Sequence, residues 1–305
     1  MKIQHLTFLG VRGVRDAAFD LTDPRTGAPH DLVVVSGPAA SGKTRFLEAI
    51  AAAKEAIAPY GQPSAGAPWI AGESSAAKLI VGFHLDEEEQ TYAGSGAATI
   101  EAEATFFAEQ PHAEADEGLT AVLDRYDHRN RTGKLEYFPA SRRIPTHAPF
   151  HGTGALDQRA HRAGKDPRKY SFIPRFLREI EGNPAAAQAF SERLMMLSPT
   201  CTWERGAPEG GLPRGFRSRG GPPVTPAELS DGEANAVLFA ATAVAIQLVR
   251  SIVLVDRPEL HVDPAKLPRW IEGLRALGEG NQLILASSSP SLLAAAAGAH
   301  VVRLE

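Results

Sequence analysis

The stretch DLVVVSGPAASGKTRFLEAI, residues 31–50, decides how the chain is read. Its opening, DLVVVSG (31–37), is a continuous β-branched apolar run, the pattern of a strand covered on both faces. Its end carries Phe46, Leu47 and Ile50, and Ala53 continues them at helical spacing, which predicts a helix over 44–60. Between the two, Gly37-Pro38-Ala39-Ala40-Ser41-Gly42-Lys43-Thr44 matches G-x-x-x-x-G-K-[ST] in full. Strand, glycine-rich turn and helix form the context in which this motif holds phosphate. Glycines let the backbone wrap around phosphate oxygens, and successive N–H groups form an anion nest. The positive end of the helix dipole faces the same anion. In this reading residues 37–44 bind a nucleotide, Lys43 reaches its β- and γ-phosphates, and Thr44 holds Mg²⁺.

The rest of the chain narrows the setting. Its 305 residues suffice for one large domain or two modest ones, with the apolar and charged fractions of a globular protein. A net charge of −4 gives no reason to expect whole-surface binding to nucleic acid or anionic lipid. The single cysteine, Cys201, cannot form an internal disulfide and reads as a small half-buried hydrophobe. The start, MKIQHLTFLG, lacks the basic region and long apolar core of a signal peptide. The most apolar long stretch, residues 234–249, is short for a membrane span and contains Asn235 and Gln247, so a buried helix is expected. The cytoplasm is the expected location.

Alternating residues predict two short strands at the start, joined by a turn around Gly10–Gly13. After the first helix, residues 61–76 read as a loop. Strands are expected at 77–85, 98–107, 119–126 and 134–140, the last two flanking a polar turn. DEEEQ (86–90) and EADEG (114–118) read as exposed turns. From 141 to 228 the composition shifts to Arg, Gly and Pro. A pair of helices is expected within FIPRFLREIEG and AAAQAFSERLMML, and a mobile loop over 206–227. The C-terminal part alternates helix and strand, which makes a parallel sheet with helices on its faces. The expected architecture is therefore α/β, a mixed or parallel sheet with flanking helices. Residues 1–140 and 229–305 would form the core, and 141–228 an inserted helical lobe leading into the motif at 229–233.

That motif is Leu229-Ser230-Asp231-Gly232-Glu233. Alone it is compatible with a simple helix cap, since Ser and Asp cap helices well. It is followed by a helix and then by SIVLVDRPELHVDP (251–264), an apolar strand ending in Asp256. The order of these motifs resembles that of the ABC-type ATPases, whose signature is LSGGE or a close variant. DRPELHVDP is similar to the DEPELHLHP of compact SMC-like and OLD-type ATPases, the broad group that also contains RecF. KIQHLTFLGVRGV and YFPASRR (137–143) look like segments of the same group. The resemblance implies a P-loop NTPase fold of ABC-ATPase type, with ATP and Mg²⁺ as cofactors. Asp256 would hold Mg²⁺ with Thr44. Ser230, Asp231, Gly232 and Glu233 would form the signature presented to a second head, with Ser230 and Gly232 contacting the γ-phosphate held there and Asp231 replacing the first signature glycine. Asp263 would fall in the D-loop that crosses the dimer interface.

Two departures stand out against that resemblance. The family's catalytic glutamate follows the strand-ending aspartate, and here that residue is Arg257, a cation that cannot act as a base. Glu259 is a possible stand-in on the bending loop. The family's switch histidine is replaced by Ser288, within Ser287-Ser288-Ser289-Pro290. Together these imply a site that binds ATP and turns it over weakly. The expected role is an ATP-dependent dimerisation switch in a larger complex, in DNA repair or in phage and mobile-element defence. Its partners would be a second head, like or unlike, and an effector protein. A fully active ATPase using Glu259 or a partner's carboxylate, and a structural subunit with a relic P-loop, are the alternatives. Arg142 and Arg143 could face nucleotide or nucleic acid, and Arg214, Arg217 and Arg219 could bind phosphate backbones, although solvated loops account for both groups. His261 is as compatible with loop packing as with function.

Overall fold

A computed structural model describes residues 1–61, 65–125, 134–144, 161–204 and 215–305. The chain forms two five-stranded sheets with a helix between them. The first sheet is antiparallel and contains β1 (Lys2–Leu9), β2 (Ala17–Asp20), β4 (Ala77–His84), β5 (Thr99–Phe106) and β6 (Pro111–Glu114), in the order β2-β1-β4-β5-β6. One face buries Leu6, Phe8, Leu79, Val81, Phe83 and Ala104. The other carries pairs such as His5 with Glu101 and Lys78 with Glu103. This is the one-sided alternation of an antiparallel sheet facing water.

The second sheet is wholly parallel: β3 (Leu32–Ser36), β7 (Leu135–Phe138), β10 (Ile252–Asp256), β11 (Gln282–Ser287) and β12 (His300–Arg303), ordered β12-β3-β11-β10-β7. Its central strands are buried on both faces, which is why they read as unbroken apolar runs. Val33, Val35, Ile252, Leu254, Ile284 and Ala286 share a core with helix α1 (Lys43–Ile57) and the antiparallel sheet. Val34, Val253, Val255, Leu283 and Leu285 share the other core with the remaining large helices. These are α4 (Ile173–Glu181), α5 (Pro184–Leu197), α6 (Asp231–Ala245) and α7 (Leu267–Arg275), with the short α8 (Pro290–Ala295) completing the layer. Helix α6 is apolar almost all round and buried from Asn235 to Ala243, as its composition requires. Among the described residues no helix is long and apolar enough to cross a membrane.

Four expectations are corrected. The run at 119–126 is helical over α3 (Glu117–Leu123), where Asp116 caps Gly118 and Leu119, and Leu119, Val122 and Leu123 form one buried stripe. The expected polar turn that followed lies outside the described residues. DEEEQ is not a turn but the start of α2 (Glu87–Ala93), capped by Asp86, and Glu89 is fully buried beside the amino group of Met1. The EADEG segment likewise supplies the end of β6 and the cap of α3. The loop expected over 206–227 contains β9 (Phe216–Ser218) in its described part, paired with β8 (Cys201–Trp203). Phe216 and Trp203 close over Phe190 of α5, so aromatic packing holds this hairpin in place. Cys201 is buried, which pushes its thiol up to about 12 and removes it as a nucleophile.

Candidate functional site

The carboxyl ends of β3, β11 and β10 lie side by side. Ser36 pairs with Ser287, and Ala286 with Asp256, so the loops leaving these strands share one crevice. The first of them is the phosphate loop. Its glycines are required by geometry. Gly42 has φ +91°, and a Cβ there would stand 1.8 Å from the carbonyl oxygen of Gly13. A Cβ on Gly37 would meet Leu304 O at 2.3 Å. Ala40 also takes a left-handed backbone, φ 64°. Lys43 Nζ donates to the carbonyls of Gly37 (2.9 Å) and Pro38, and to Ser41 Oγ (3.3 Å). Pro38 and Ala39 are exposed at the mouth of the loop.

Thr44 Oγ1 donates to Asp256 Oδ2 at 2.9 Å. Two hard oxygen donors thus meet beside the loop, the donor set that suits Mg²⁺ shared with a phosphate. Burial raises the pKa of Asp256. The Thr44 hydroxyl and the charges of Arg257, Arg142 and Lys165 oppose that rise. Lys43 is shifted down, first by burial and then by the charge of Arg257, while Asp256 and Glu259 pull it back up. Arg257 is exposed and acts on both Lys43 and Asp256, so its cation lies in the field of the phosphate cradle.

Asp256 is followed by a tightly held turn. Arg257 has φ 48°, its N–H donates to Ala286 O (2.8 Å), and Leu260 N donates to Arg257 O (3.2 Å). Trp270 Nε1 donates to Pro258 O at 2.9 Å. Arg142 was expected at nucleotide, nucleic acid or solvent. Instead its guanidinium clamps this turn, donating to Asp256 O (2.8 Å), Arg257 O (3.0 Å), Pro139 O (3.1 Å) and Asn235 Oδ1 (2.7 Å). Asn235 in turn donates to Leu260 O. Arg142→Ala is expected to cost roughly 2–4 kcal/mol, because the carbonyls of Pro139, Asp256 and Arg257 and the amide of Asn235 lose a charged donor at once. Urea unfolding of the variant beside the wild type measures this.

Glu259 is drawn back to the end of β11, where its Oε1 accepts from Ser287 Oγ at 2.7 Å. The inward serine is therefore Ser287. Ser288, at the switch position, is exposed, and Ser289 caps α8 through Leu292 N. Arg143 is exposed. Arg217 is occupied within the hairpin by Glu204 Oε2 and Gly221 O, Arg219 is exposed, and Arg214 lies outside the described residues.

The motif at 229–233 lies elsewhere. Ser230 caps α6 in a capping box with Glu233, whose second oxygen accepts from Ser218. Gly232 packs under His261, since a Cβ there would stand 2.7 Å from His261 O. His261 Nδ1 is 3.7 Å from Asp231 Oδ2. Ser230, Asp231, Gly232, His261, Asp263 and Arg219 line an open cleft of about 890 Å³. Among the described residues no hydrogen bond or ion pair joins this cleft to residues 37–44. The structure thus gathers Lys43, Thr44, Asp256, Arg257 and Glu259 at one place, and Ser230, Gly232 and Asp263 at another. Asn235, Trp270 and Ser287 had no role assigned from the sequence, and Arg142 had a different one. YFPASRR held the only signal, for Arg142.

Residues 214–294, less than half of the chain, match a family described as "AAA domain, putative AbiEii toxin, Type IV TA system". No curated protein matches the chain in sequence. Solved structures match it over nearly its whole length. An SMC head bound to the C-terminal winged-helix domain of ScpA is 11% identical, with a TM-score of 0.61, covering 96% of this chain and 92% of that one. The SMC head domain of Thermotoga maritima is 14% identical, with a TM-score of 0.54 and coverages of 99% and 95%. The recombination mediator RecF is 10% identical, with a TM-score of 0.54 and coverages of 100% and 96%.

Proposed function

For a chain with the fold of the ABC- and SMC-like P-loop ATPases, we propose the role of an ATP-binding head that closes on a second head. ATP lies between the phosphate loop of one copy and Ser230 and Gly232 of the other. Asp263, on the same cleft, meets the partner as the two close. The observation that carries this reading is the separation of the two half-sites. Residues 37–44 with Asp256 form one half, exposed at Pro38–Ala40, and Ser230, Gly232 and Asp263 line an open cleft that, among the described residues, makes no bond to it. Each half-site is completed when a second copy brings the other.

Thr44 and Asp256 would hold Mg²⁺, which neutralises phosphate charge while bound. Residues 37–42 supply the backbone amides and Lys43 the cation. The γ-phosphate serves as the contact between copies, as it orders switch segments in other P-loop proteins. Arg257, in place of a carboxylate, makes hydrolysis slow, so the closed state persists. An SMC head is known bound to a domain of ScpA, and this chain's output is likewise proposed to pass to an effector protein. The matched family's description names a toxin of a type IV toxin–antitoxin system and the RecF structure a recombination mediator, and a setting in defence or in DNA repair is proposed for this chain from the sequence resemblance.

Light scattering of the purified chain tests the proposal. ATP with Mg²⁺ is expected to convert monomer to dimer. Ser230→Arg, which fills the cleft with a bulky cation, is expected to bind ATP in calorimetry yet remain monomeric. A wild-type chain saturated with ATP and still monomeric would sink the self-association reading.

A further inference from the structure

We infer that Glu259 is the proton acceptor for the attacking water in this site, an inference that rests on the ATP-binding reading above. Arg257 occupies the position next to Asp256, and a guanidinium stays protonated and cannot take a proton. The chain turns at Arg257 through a left-handed backbone, φ 48°, while its N–H remains bonded to Ala286 O. That turn returns Glu259 to the end of β11, inside the crevice rather than away from it. Three further bonds fix the return: Arg142 to the carbonyls of Asp256 and Arg257, and Trp270 to that of Pro258.

The two carboxylate oxygens of Glu259 differ. Oε1 accepts from Ser287 Oγ at 2.7 Å. Ser287 Oγ accepts from Ser289 N at 2.9 Å, so the hydroxyl proton is committed to Glu259 and the carboxylate is oriented. Oε2 is buried and has no hydrogen-bond partner among the described residues. A buried carboxylate oxygen without a donor is costly, and it is satisfied by a ligand or a water that brings one. The charge of Glu259 is felt by Lys43, which places it in the field of the phosphate cradle. A water between the γ-phosphate and Oε2 would supply the missing donor.

The step balances without another reactant. The water oxygen bonds to the γ-phosphorus, and the bond from that phosphorus to the ADP oxygen breaks. One water proton passes to Glu259 Oε2 and is later released to solvent, leaving ADP and inorganic phosphate. Ser287 acts through Glu259 and is a positioning residue.

The test uses the full chain carrying Glu259→Gln and, separately, Ser287→Ala. Three quantities are followed with ATP and Mg²⁺: affinity by calorimetry, phosphate release in a single turnover, and the lifetime of the ATP-induced assembly after free ATP is removed. Glu259→Gln is expected to keep its melting temperature and its affinity, to lose phosphate release by ~10²-fold, and to hold the assembly correspondingly longer. Ser287→Ala is expected to lose roughly tenfold, since the carboxylate remains but is less well aimed. Intact affinity with an undiminished rate in Glu259→Gln overturns the role of Glu259 alone, as does a wild type that binds ATP and never cleaves it. A wild type without affinity for ATP overturns the nucleotide reading as well.

Discussion

Lys43→Ala is expected to lower ATP affinity by at least ~100-fold, the loss of one or two charge-assisted bonds to phosphate. The variant isolates binding from folding. Lys43 is only partly buried, and among the described residues its ammonium bonds only to Gly37 O, Pro38 O and Ser41 Oγ of its own loop. Its side chain stands at the first position of α1, and removing it leaves β3 and both cores untouched. Burial and the charge of Arg257 already depress the proton affinity of Lys43, so an arriving phosphate relieves an unfavourable cluster of cations. Calorimetry with a slowly hydrolysed ATP analogue measures the effect. Gly42→Ala tests the same cradle from the backbone side. A Cβ 1.8 Å from Gly13 O, at φ +91°, forces the loop to move, so binding and melting temperature should fall together. An affinity unchanged in Lys43→Ala would make the loop a relic, and the structural-subunit reading would replace the ATP-binding head.

How much of this was legible depended on distance along the chain. Residues 31–50 give strand, loop and helix in one contiguous text, and each glycine has a local reason that the motif already encodes. The all-buried strand ending at Asp256 was equally plain, because Ile252–Val255 is an unbroken apolar run closed by one carboxylate. The short helices α2 and α3 were not legible. Seven residues supply a single apolar stripe, too little to separate a helix from a strand or turn, and the decisive signals are the capping bonds of Asp86 and Asp116. The arrangement of the site was least legible where it is non-local. Arg142 reaches Asp256 O across 114 residues of sequence, and Ser287 reaches Glu259 across 28. Neither pairing follows from periodicity. Both follow once β7, β10 and β11 lie in register, since that alone brings their carboxyl ends together.

Arg257→Glu is expected to raise the rate of ATP cleavage by ~10–10²-fold while weakening ATP binding. The first effect comes from a carboxylate next to Asp256, the residue type that the resemblance to SMC-like ATPases leads one to expect there. The second effect follows from charge. Arg257 acts on Lys43 and Asp256, so its guanidinium attracts the same phosphates that Lys43 binds. An attraction present equally in the bound and transition states tightens binding without accelerating the chemistry. Replacing it by a negative charge therefore moves affinity and rate in opposite directions. The affinity loss should shrink with added salt, because Arg257 is exposed and its field is screened. Fold stability should change little, since the turn is fixed through the backbone of Arg257 and not through its side chain. Combining the substitution with Glu259→Gln separates the two carboxylates. If Glu259 is the native proton acceptor, the double variant recovers cleavage through residue 257 and exceeds Glu259→Gln alone. A rate and an affinity both unchanged in Arg257→Glu would show that the exposed guanidinium never meets the nucleotide, and the slow-switch reading would lose its physical basis.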